Sequence, residues 1–370
     1  MERVFVGLDL HKEKIVTLGL PQEGITPILR HVSAGDSLSR LVKQLKRLSK
    51  AFSVEVCYEA GPCGYVPARA LLAAGISCRI AAPSLVPRRP GDRIKTDARD
   101  ALELALALRA GTLQFVRIPT TAEEEVRGLV RCREDVAKEV RRLKSIVGHW
   151  LLTRGHRTPS GVKRWTPDHW RWLRSLELAD LDRTVLDHYL DLVLLLSDRL
   201  KQIEEQIVGL ADTDTYRDRV SRLCALRGFS PLAAMRMIAE VMVFDRFSRA
   251  SGFMKFTGLV PSEYSSSQRV HRGRITRAGN SHIRHLLVEA VQSIRACSRP
   301  GKSLLKRMST LSGELREVAM KCLARLQAKF RKMNGRGLPT GKIRVALARE
   351  LAGFVWAMMV HPAKGAEAVA

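Results

Sequence analysis

The sequence predicts an α/β domain at the N-terminus followed by a mainly helical remainder. Three observations predict it. Residues 3–81 alternate short apolar runs of strand length with amphipathic stretches at helical spacing. Residues 123–152 and 181–210 repeat apolar positions every three or four residues over lengths that only helices reach. Residues 216–349 continue that periodicity in shorter pieces, many of them broken by glycine or proline.

Taken in order, residues 3–9 (Arg-Val-Phe-Val-Gly-Leu-Asp) form a buried strand that ends in a carboxylate. Residues 14–20 and 26–32 are two more short strands, joined by a turn at Gly24, and the three make a meander. An amphipathic helix over 37–48, a strand over 52–58, a helix over 64–74 and a strand over 77–81 follow. After a link containing Pro83, Pro87 and Pro90, a further helix starts at Asp97 and runs to Arg109. Strands first, then alternating helices and strands, argue for one mixed sheet, which sets a first domain at residues 1–118.

Residues 119–214 read as a long antiparallel helical hairpin, a coiled coil. Val126, Leu129, Val130, Val136, Val140, Leu143, Ile146 and Val147 stripe its first arm, with charges between them. The connecting tip, residues 154–174, holds Trp165, Trp170 and Trp172, with Trp150 just before it. It is either a local cluster that closes the hairpin or a contact for a partner. A third domain, residues 215–298, is expected as short helices punctuated by Gly228, Pro231, Gly252, Gly258, Pro261, Gly273 and Gly279. Residues 299–370 read as a basic helical extension (Lys302, Lys306, Arg307, Lys321, Arg325, Lys329, Arg331, Lys332) ending in a frayed tail at 364–370.

With 370 residues and 45% apolar content the chain can bury a sizeable core and is not a disordered protein. Lys and Arg number 63 against 37 Asp and Glu, a formal charge of +26. Such a field attracts phosphate backbones regardless of base sequence, so nucleic acid is the first partner to consider. A ribosome-associated or chromatin-like protein and a membrane-surface binder share this composition. Cys57, Cys63, Cys78, Cys132, Cys224, Cys297 and Cys322 are scattered singly, which argues against a zinc module or a disulfide framework. The opening Met-Glu-Arg-Val-Phe-Val-Gly lacks the order of a signal peptide, and no apolar run approaches the ~20 residues of a membrane span. A cytoplasmic location without membrane contact is expected.

Four acids stand out. Asp9 closes the first strand, where a side chain emerges at the rim of the sheet, and Glu59 follows the strand 52–58 in the equivalent place. Asp97 and Asp100, three apart, share one face at the start of a helix. Carboxylates gathered at close range repel unless a cation lies between them, and hard oxygen ligands suit Mg²⁺ or Mn²⁺. Each also has a plainer reading. Asp97 and Asp100 are what a capped helix N-terminus looks like, and Glu59 before Ala60-Gly61-Pro62 could be a turn residue. His11 and Lys12 could touch DNA, although a histidine at a strand end is more often only solvated. An acid ending an apolar strand, as Asp9 does, is costly unless solvated or used.

The segments Val6-Gly7-Leu8-Asp9-Leu10-His11-Lys12, Tyr58-Glu59-Ala60-Gly61-Pro62-Cys63-Gly64-Tyr65 and Lys95-Thr96-Asp97-Ala98-Arg99-Asp100-Ala101 resemble, in order and spacing, the three N-terminal motifs of the DEDD insertion-sequence transposases, recombinases related to the Piv invertase. The resemblance implies an RNase H-like (RuvC-like) first domain and Mg²⁺ (or Mn²⁺) held by Asp9, Glu59, Asp97 and Asp100. It continues in residues 222–230, 233–241 and Phe247, which are similar to a helix-hairpin-helix stretch. Here Arg227-Gly228-Phe229-Ser230 stands where Pro-Gly-Ile-Gly is usual. Residues 258–267 (Gly-Leu-Val-Pro-Ser-Glu-Tyr-Ser-Ser-Ser) and 273–280 (Gly-Arg-Ile-Thr-Arg-Ala-Gly-Asn), with Arg284, match the family's transposase motif.

That motif implies a serine nucleophile, and Ser266 best fits the spacing from Glu263-Tyr264, with Ser265 and Ser267 beside it. Without the resemblance, a serine triplet near Arg269, His271, Arg272 and Arg274 reads as a flexible polar loop gripping phosphates. Arg269, Arg272, Arg274, Arg277 and Arg284 are the expected nucleic-acid contacts. The resemblance further implies element-end and target DNA as substrates, a structured guide RNA, and a homo-oligomer, dimer or tetramer. An actin-like ATPase, which would share the sheet topology, needs a glycine-rich phosphate loop that Leu10-His11-Lys12 does not offer. Two rivals keep their place: a Holliday-junction nuclease that works without a covalent serine, and a non-catalytic nucleic-acid-binding protein.

Overall fold

The computed structural model describes residues 1–34, 37–86, 96–266, 269–294 and 299–361. The link at Pro87 and Pro90, Lys95, Ser267, Cys297 and the tail at 364–370 lie outside them. The chain divides into two compact units, Met1–Thr120 and Thr121–Ala370.

The first unit is a six-stranded mixed sheet. Its strands are β1 (Arg3–Leu10), β2 (Lys14–Pro21), β3 (Leu29–Ala34), β4 (Ser53–Glu59), β5 (Ser77–Ala81) and β6 (Phe115–Val116), in the order β3-β2-β1-β4-β5-β6. β1, β4 and β5 run parallel; β2, β3 and β6 pair antiparallel to their neighbours. Helices α1 (Ser37–Leu48) and α2 (Val66–Ala73) cover one face, where Leu41, Leu45, Ala68 and Leu71 meet Val4, Val6, Leu8, Val54 and Val56. Helix α3 (Asp97–Arg109) lies on the other face against Phe5, Cys57, Val16, Leu18 and Leu20. Burial on both faces explains why β1 reads as a continuous apolar run.

β3 and β6 depart most from the expected elements; the other bounds shift by one or two residues. β3 starts at Leu29, because Pro27 has no N–H to give a ladder and residues 26–28 stay in the turn. β6 is only two residues long, too short to leave a periodic signal.

Gly7 sets the approach of α3. A Cβ built on Gly7 would lie 2.0 Å from the Ala101 carbonyl oxygen and 2.8 Å from the Ala105 nitrogen. Backbone therefore meets backbone at this crossing, and only glycine on the strand with alanines on the helix permits it.

The second unit begins with α4 (Thr121–Thr153), continues through α5 (Pro167–Ser175) and returns along α6 (Asp180–Ala211). The two long helices pack antiparallel: Val147 and Leu151 meet Leu186 and Leu190 at the tip, while Val130 and Ile207 join the main core at the base. Arg133–Glu204 and Arg154–Asp182 ion pairs tie the arms. Trp150, Trp165, Trp170 and Trp172 pack on the tip core, so the tryptophans close the hairpin locally.

There follow α7 (Arg217–Cys224), α8 (Pro231–Val241), α9 (Ala250–Phe256), a two-stranded hairpin of β7 (Pro261–Ser266) and β8 (Arg269–Ile275), and then α10 (Ser281–Ala290), α11 (Lys302–Ser309), α12 (Gly313–Gly335) and α13 (Thr340–Val360). One core joins Leu223, Ile238, Phe253, Ile283, Leu326 and Leu351. The basic C-terminal helices therefore share the core of the segment before them. Their apolar stripe runs on to Met358, while most of their lysines and arginines are exposed and Arg307, Lys329, Arg344 and Arg349 are partly buried. No helix among the described residues is long and apolar enough to cross a membrane, and none of the described cysteines is paired.

Candidate active site

Alternation along β1 decides which way Asp9 points. Val4, Val6 and Leu8 belong to the face under α1 and α2, so Phe5, Gly7 and Asp9 belong to the α3 face. The same parity places Glu59 with Cys57 on that face of β4, where the Cys57 thiol contacts the Leu104 carbonyl. In the parallel register Leu8 pairs with Tyr58, so Asp9 and Glu59 are the next residues along, at the carboxyl ends of adjacent strands. The carboxyl ends of parallel strands are where open α/β sheets bind ligands.

α3 brings the other two acids. Thr96 caps it, its hydroxyl accepting from the Arg99 N–H at 3.3 Å, and Asp97 and Asp100 occupy the first turn. Because Ala101 is locked against Gly7, the turn before it lies over Asp9. One carboxylate oxygen each from Asp9 and Asp97 and a ring nitrogen of His11 lie within 4.8 Å of one another. His11 Nε2 is 3.1 Å from Asp9 Oδ2 and 3.6 Å from Asp97 Oδ1. Lys14 Nζ donates to Asp97 Oδ2 at 2.8 Å.

Burial raises the Asp9 carboxyl above its ordinary range; His11 opposes this, and Asp97 and Asp100 add repulsion. Asp97 is held below the ordinary range, first by the hydrogen bond from Lys14. Neighbouring carboxylates whose proton affinities are pushed apart make a candidate site, although the shift of Asp97 is also what its ion pair with Lys14 alone would give. Asp97 and Asp100 are both close enough to act on Asp9. Glu59 shares their rim by register and parity, but neither it nor Asp100 belongs to the 4.8 Å group among the described residues.

His11 is not merely solvated, as its strand-end position suggested, because it bridges Asp9 and Asp97. Lys14 escaped the sequence reading altogether. Its signal was available: it shares parity with Val16, Leu18 and Leu20, the β2 residues that face α3.

In the second unit the serine segment is a β-hairpin, where a loop was expected. Ser265 pairs with Val270 and Ser266 with Arg269, while Pro261 pairs with Ile275 across an irregularity near Glu263. The strands are exposed and polar, so no alternation of burial announces them; backbone pairing makes them. Ser266 stands at the exposed end of β7, and its hydroxyl has no partner among the described residues. The Ser265 hydroxyl donates to Glu263 Oε1 at 2.8 Å, and Arg272 reaches Glu263 Oε2 at 3.3 Å.

The base of the hairpin is tightly fixed. Gly258 (φ +67°) and Gly279 (φ +105°) let backbone pass backbone: a Cβ would fall 2.5 Å from Ala278 O and 2.1 Å from Phe256 O respectively. Arg277 itself sits in the left-handed region at φ 55°. Arg284 donates to the carbonyls of Thr257 (3.0 Å) and Arg277 (3.3 Å), so its guanidinium is engaged in this knot within the chain. Arg269, Arg274 and Arg277 are exposed. In the α7–α8 turn, Gly228 (φ +96°) would place a Cβ 2.3 Å from Ala290 O, and Phe229 is buried, so this turn packs against the end of α10.

Two buried acids carry the knot. Glu240, with a side chain 2% exposed, takes a bidentate pair from Arg131 at 2.7 and 3.0 Å and a 2.6 Å bond from Asn280 Nδ2. Asn280 also caps α10 by accepting from the Ile283 N–H. Glu134 accepts from Arg236 and meets His282. Burial alone would raise both carboxyls, but the hydrogen bonds and charges of these partners outweigh it and hold them below the ordinary range. A carboxyl depressed by folding contributes stability above its unfolded value of 4.5 and loses it as pH falls through the folded value. Stability of the second unit is therefore expected to drop as pH is lowered below the glutamate range. Glu240→Gln should cost about 1–3 kcal/mol at neutral pH and flatten that acid limb; urea unfolding monitored at several pH values checks both.

Residues 6–153 match a family model described as a transposase, of the DEDD IS110 type, and residues 220–306 match the model described as transposase IS116/IS110/IS902 family. The chain is 37% identical to a putative transposase, y4qE, of Sinorhizobium fredii, covering 96% of this chain and 88% of that one. It is 28% identical to the transposase for insertion sequence element IS1533 of Leptospira borgpetersenii, over 90% of this chain and 96% of the other. Over 78% of its length it is 24% identical to the transposase for IS1111A of Coxiella burnetii, of which it covers 77%.

Proposed function

The chain belongs to the IS116/IS110/IS902 family of transposases, and from that premise we propose that it cuts and rejoins DNA using a divalent-cation site on the β1–α3 rim and a serine nucleophile on the β7–β8 hairpin. The observation that carries this reading is the meeting of Asp9 and Asp97, residues of two separate motifs, with His11 between them and Asp100 near enough to act on Asp9. The strand order, with β2 antiparallel beside a parallel β1-β4-β5 core, supports an RNase H-like (RuvC-like) identity for the first unit.

The residues fit Mg²⁺ or Mn²⁺. Asp9 and Asp97 offer hard oxygens; burial, and to a smaller extent repulsion from Asp97 and Asp100, raises the Asp9 carboxyl, and a cation would offset both. Asp9, Asp97, Asp100 and Glu59 are the proposed ligands, with His11 beside the Asp9 carboxylate and Lys14 donating to Asp97. The ion would supply Lewis-acid polarisation of a phosphodiester.

Ser266 is the proposed nucleophile. Its Oγ forms a bond to phosphorus, a bridging P–O bond to deoxyribose breaks, the hydroxyl proton passes to solvent, and the released sugar oxygen takes up a proton. One phosphodiester replaces another, so the bond energy is kept for rejoining. Exposure of Ser266 at the end of a strand supports this role, while the hydroxyl of Ser265 is engaged by Glu263. Arg269, Arg274 and Arg277 would hold phosphates beside it, with Arg272 shared with Glu263. The charge of +26 also leaves room for a structured guide RNA. The test incubates purified protein, Mg²⁺, element-end DNA and flanking RNA, and seeks a denaturation-resistant protein–DNA adduct. Absence of an adduct alongside normal cleavage would favour the nuclease reading.

Several protomers are proposed, since strand exchange needs several cuts. α6 supports this: Leu181, Val185, Leu192 and Leu195 are exposed on the side away from α4, at heptad spacing. Leu192→Glu with Leu195→Glu should lower the mass seen by light scattering while helicity is retained. An unchanged mass would remove this face from the assembly.

A further inference from the structure

Beside the hairpin lies a groove that neither proposed site uses. It is open, about 320 Å³ in volume, and formed where α9, α12 and α13 meet; Lys255, Arg325, Lys329 and Arg349 line it with one acid, Glu350. Four cations against one acid leave a net charge of +3 on its walls. Glu350, only 11% exposed, is hydrogen-bonded by both Arg325 and Lys329, so it orders two of the cations at the groove wall. Lys255 and Arg349 have no partner among the described residues. Two ordered and two unpaired cations converging from three helices form a different arrangement from isolated lysines on a solvated face. Arginine's planar fork and lysine's mobile point charge together suit phosphate oxygens.

The position of the groove narrows the ligand. Val260 forms part of its wall, and the next residue begins β7, the strand that carries Ser266. α9, which supplies Lys255, ends at the knot that fixes the hairpin. Six residue steps of extended chain separate Val260 from Ser266, a reach of at most about 20 Å. At about 3.4 Å per nucleotide step, that is no more than about six steps of a DNA strand. We propose that this groove is a DNA-backbone site, which seats phosphates within about six nucleotides of the phosphodiester presented to Ser266. The placement relative to the cut rests on the serine reading above; the binding itself does not.

The test uses the full-length protein and measures binding of a short random-sequence DNA duplex across a salt series. Lys255→Ala with Arg349→Ala removes two cations that hold nothing in the protein, so thermal stability should stay at the wild-type value. The slope of log affinity against log salt is expected to fall by about 2, and affinity at moderate salt by about tenfold or more. Arg331→Ala with Lys332→Ala, exposed on α12 outside the groove, removes the same charge and should change the slope less. Lys255→Glu alone, at an exposed position, should weaken binding as well. An unchanged slope in the groove variant, an equal loss in the control, or a loss confined to RNA of the same sequence would overturn the proposal. DNA bound through the groove by a wild type that makes no serine adduct would support the groove and sink the serine.

Discussion

Asp9→Asn is expected to lose Mg²⁺-dependent DNA cleavage by about a thousandfold, the several kcal/mol a bound cation gives to a developing charge, while the apo fold stays at least as stable as wild type. The stability side follows from the site. Burial disfavours a charged Asp9, and Asp97 and Asp100 add repulsion, so a neutral amide of the same shape relieves both and can still accept from His11. The loss appears only when the cation is needed, because an anionic ligand is gone. Melting temperature with and without Mg²⁺ separates the two effects: the cation should stabilise the wild type and leave the variant unmoved. A variant that cleaves within about tenfold of wild type, or keeps its Mg²⁺-dependent stabilisation, would remove Asp9 from the cation site.

Ser266→Ala is expected to abolish the protein–DNA adduct, a fall of about a thousandfold or more, since removal of a nucleophile leaves only binding and electrostatics to act. DNA affinity should stay near wild type, because the hydroxyl supplies none of the charge that binds phosphates. Ser265→Ala should keep the adduct and loosen the hairpin slightly, for its hydroxyl is already given to Glu263. Adduct formation by Ser266→Ala would transfer the role to a neighbouring hydroxyl. Loss of DNA binding in the same variant would show that the hairpin had been damaged.

The legible parts of this chain were those that burial writes into the sequence with a period. β1, β2, β4 and β5 are apolar because the sheet is covered on both faces, and α4 and α6 carry apolar stripes because each packs along the other. β7 and β8 left no such trace. Their side chains are mostly exposed, and their pairing rests on backbone hydrogen bonds that a row of serines and arginines does not announce. The outward lysines and arginines of α11 to α13 made the C-terminal region look like an extension. The buried stripe beneath them, from Leu304 to Met358, joins the common core.

The sequence by itself determined the alternation of strands and helices, the placing of Asp9 and Glu59 at strand ends, the helix start at Asp97 and the strongly basic surface, because each is local or compositional. Tertiary structure alone decided which acids meet. Gly7 against Ala101 and Ala105 brings a helix begun some ninety residues later down onto the rim. A tight turn returns Lys14 and His11 to the same edge, where one pairs with Asp97 and the other bridges Asp9 and Asp97. It also decided that Arg284 holds carbonyls within the knot and that Glu240 and Asn280 fix the serine hairpin from below. Such contacts join residues distant along the chain, and their energies depend on distance, burial and charge in space, which linear order does not contain.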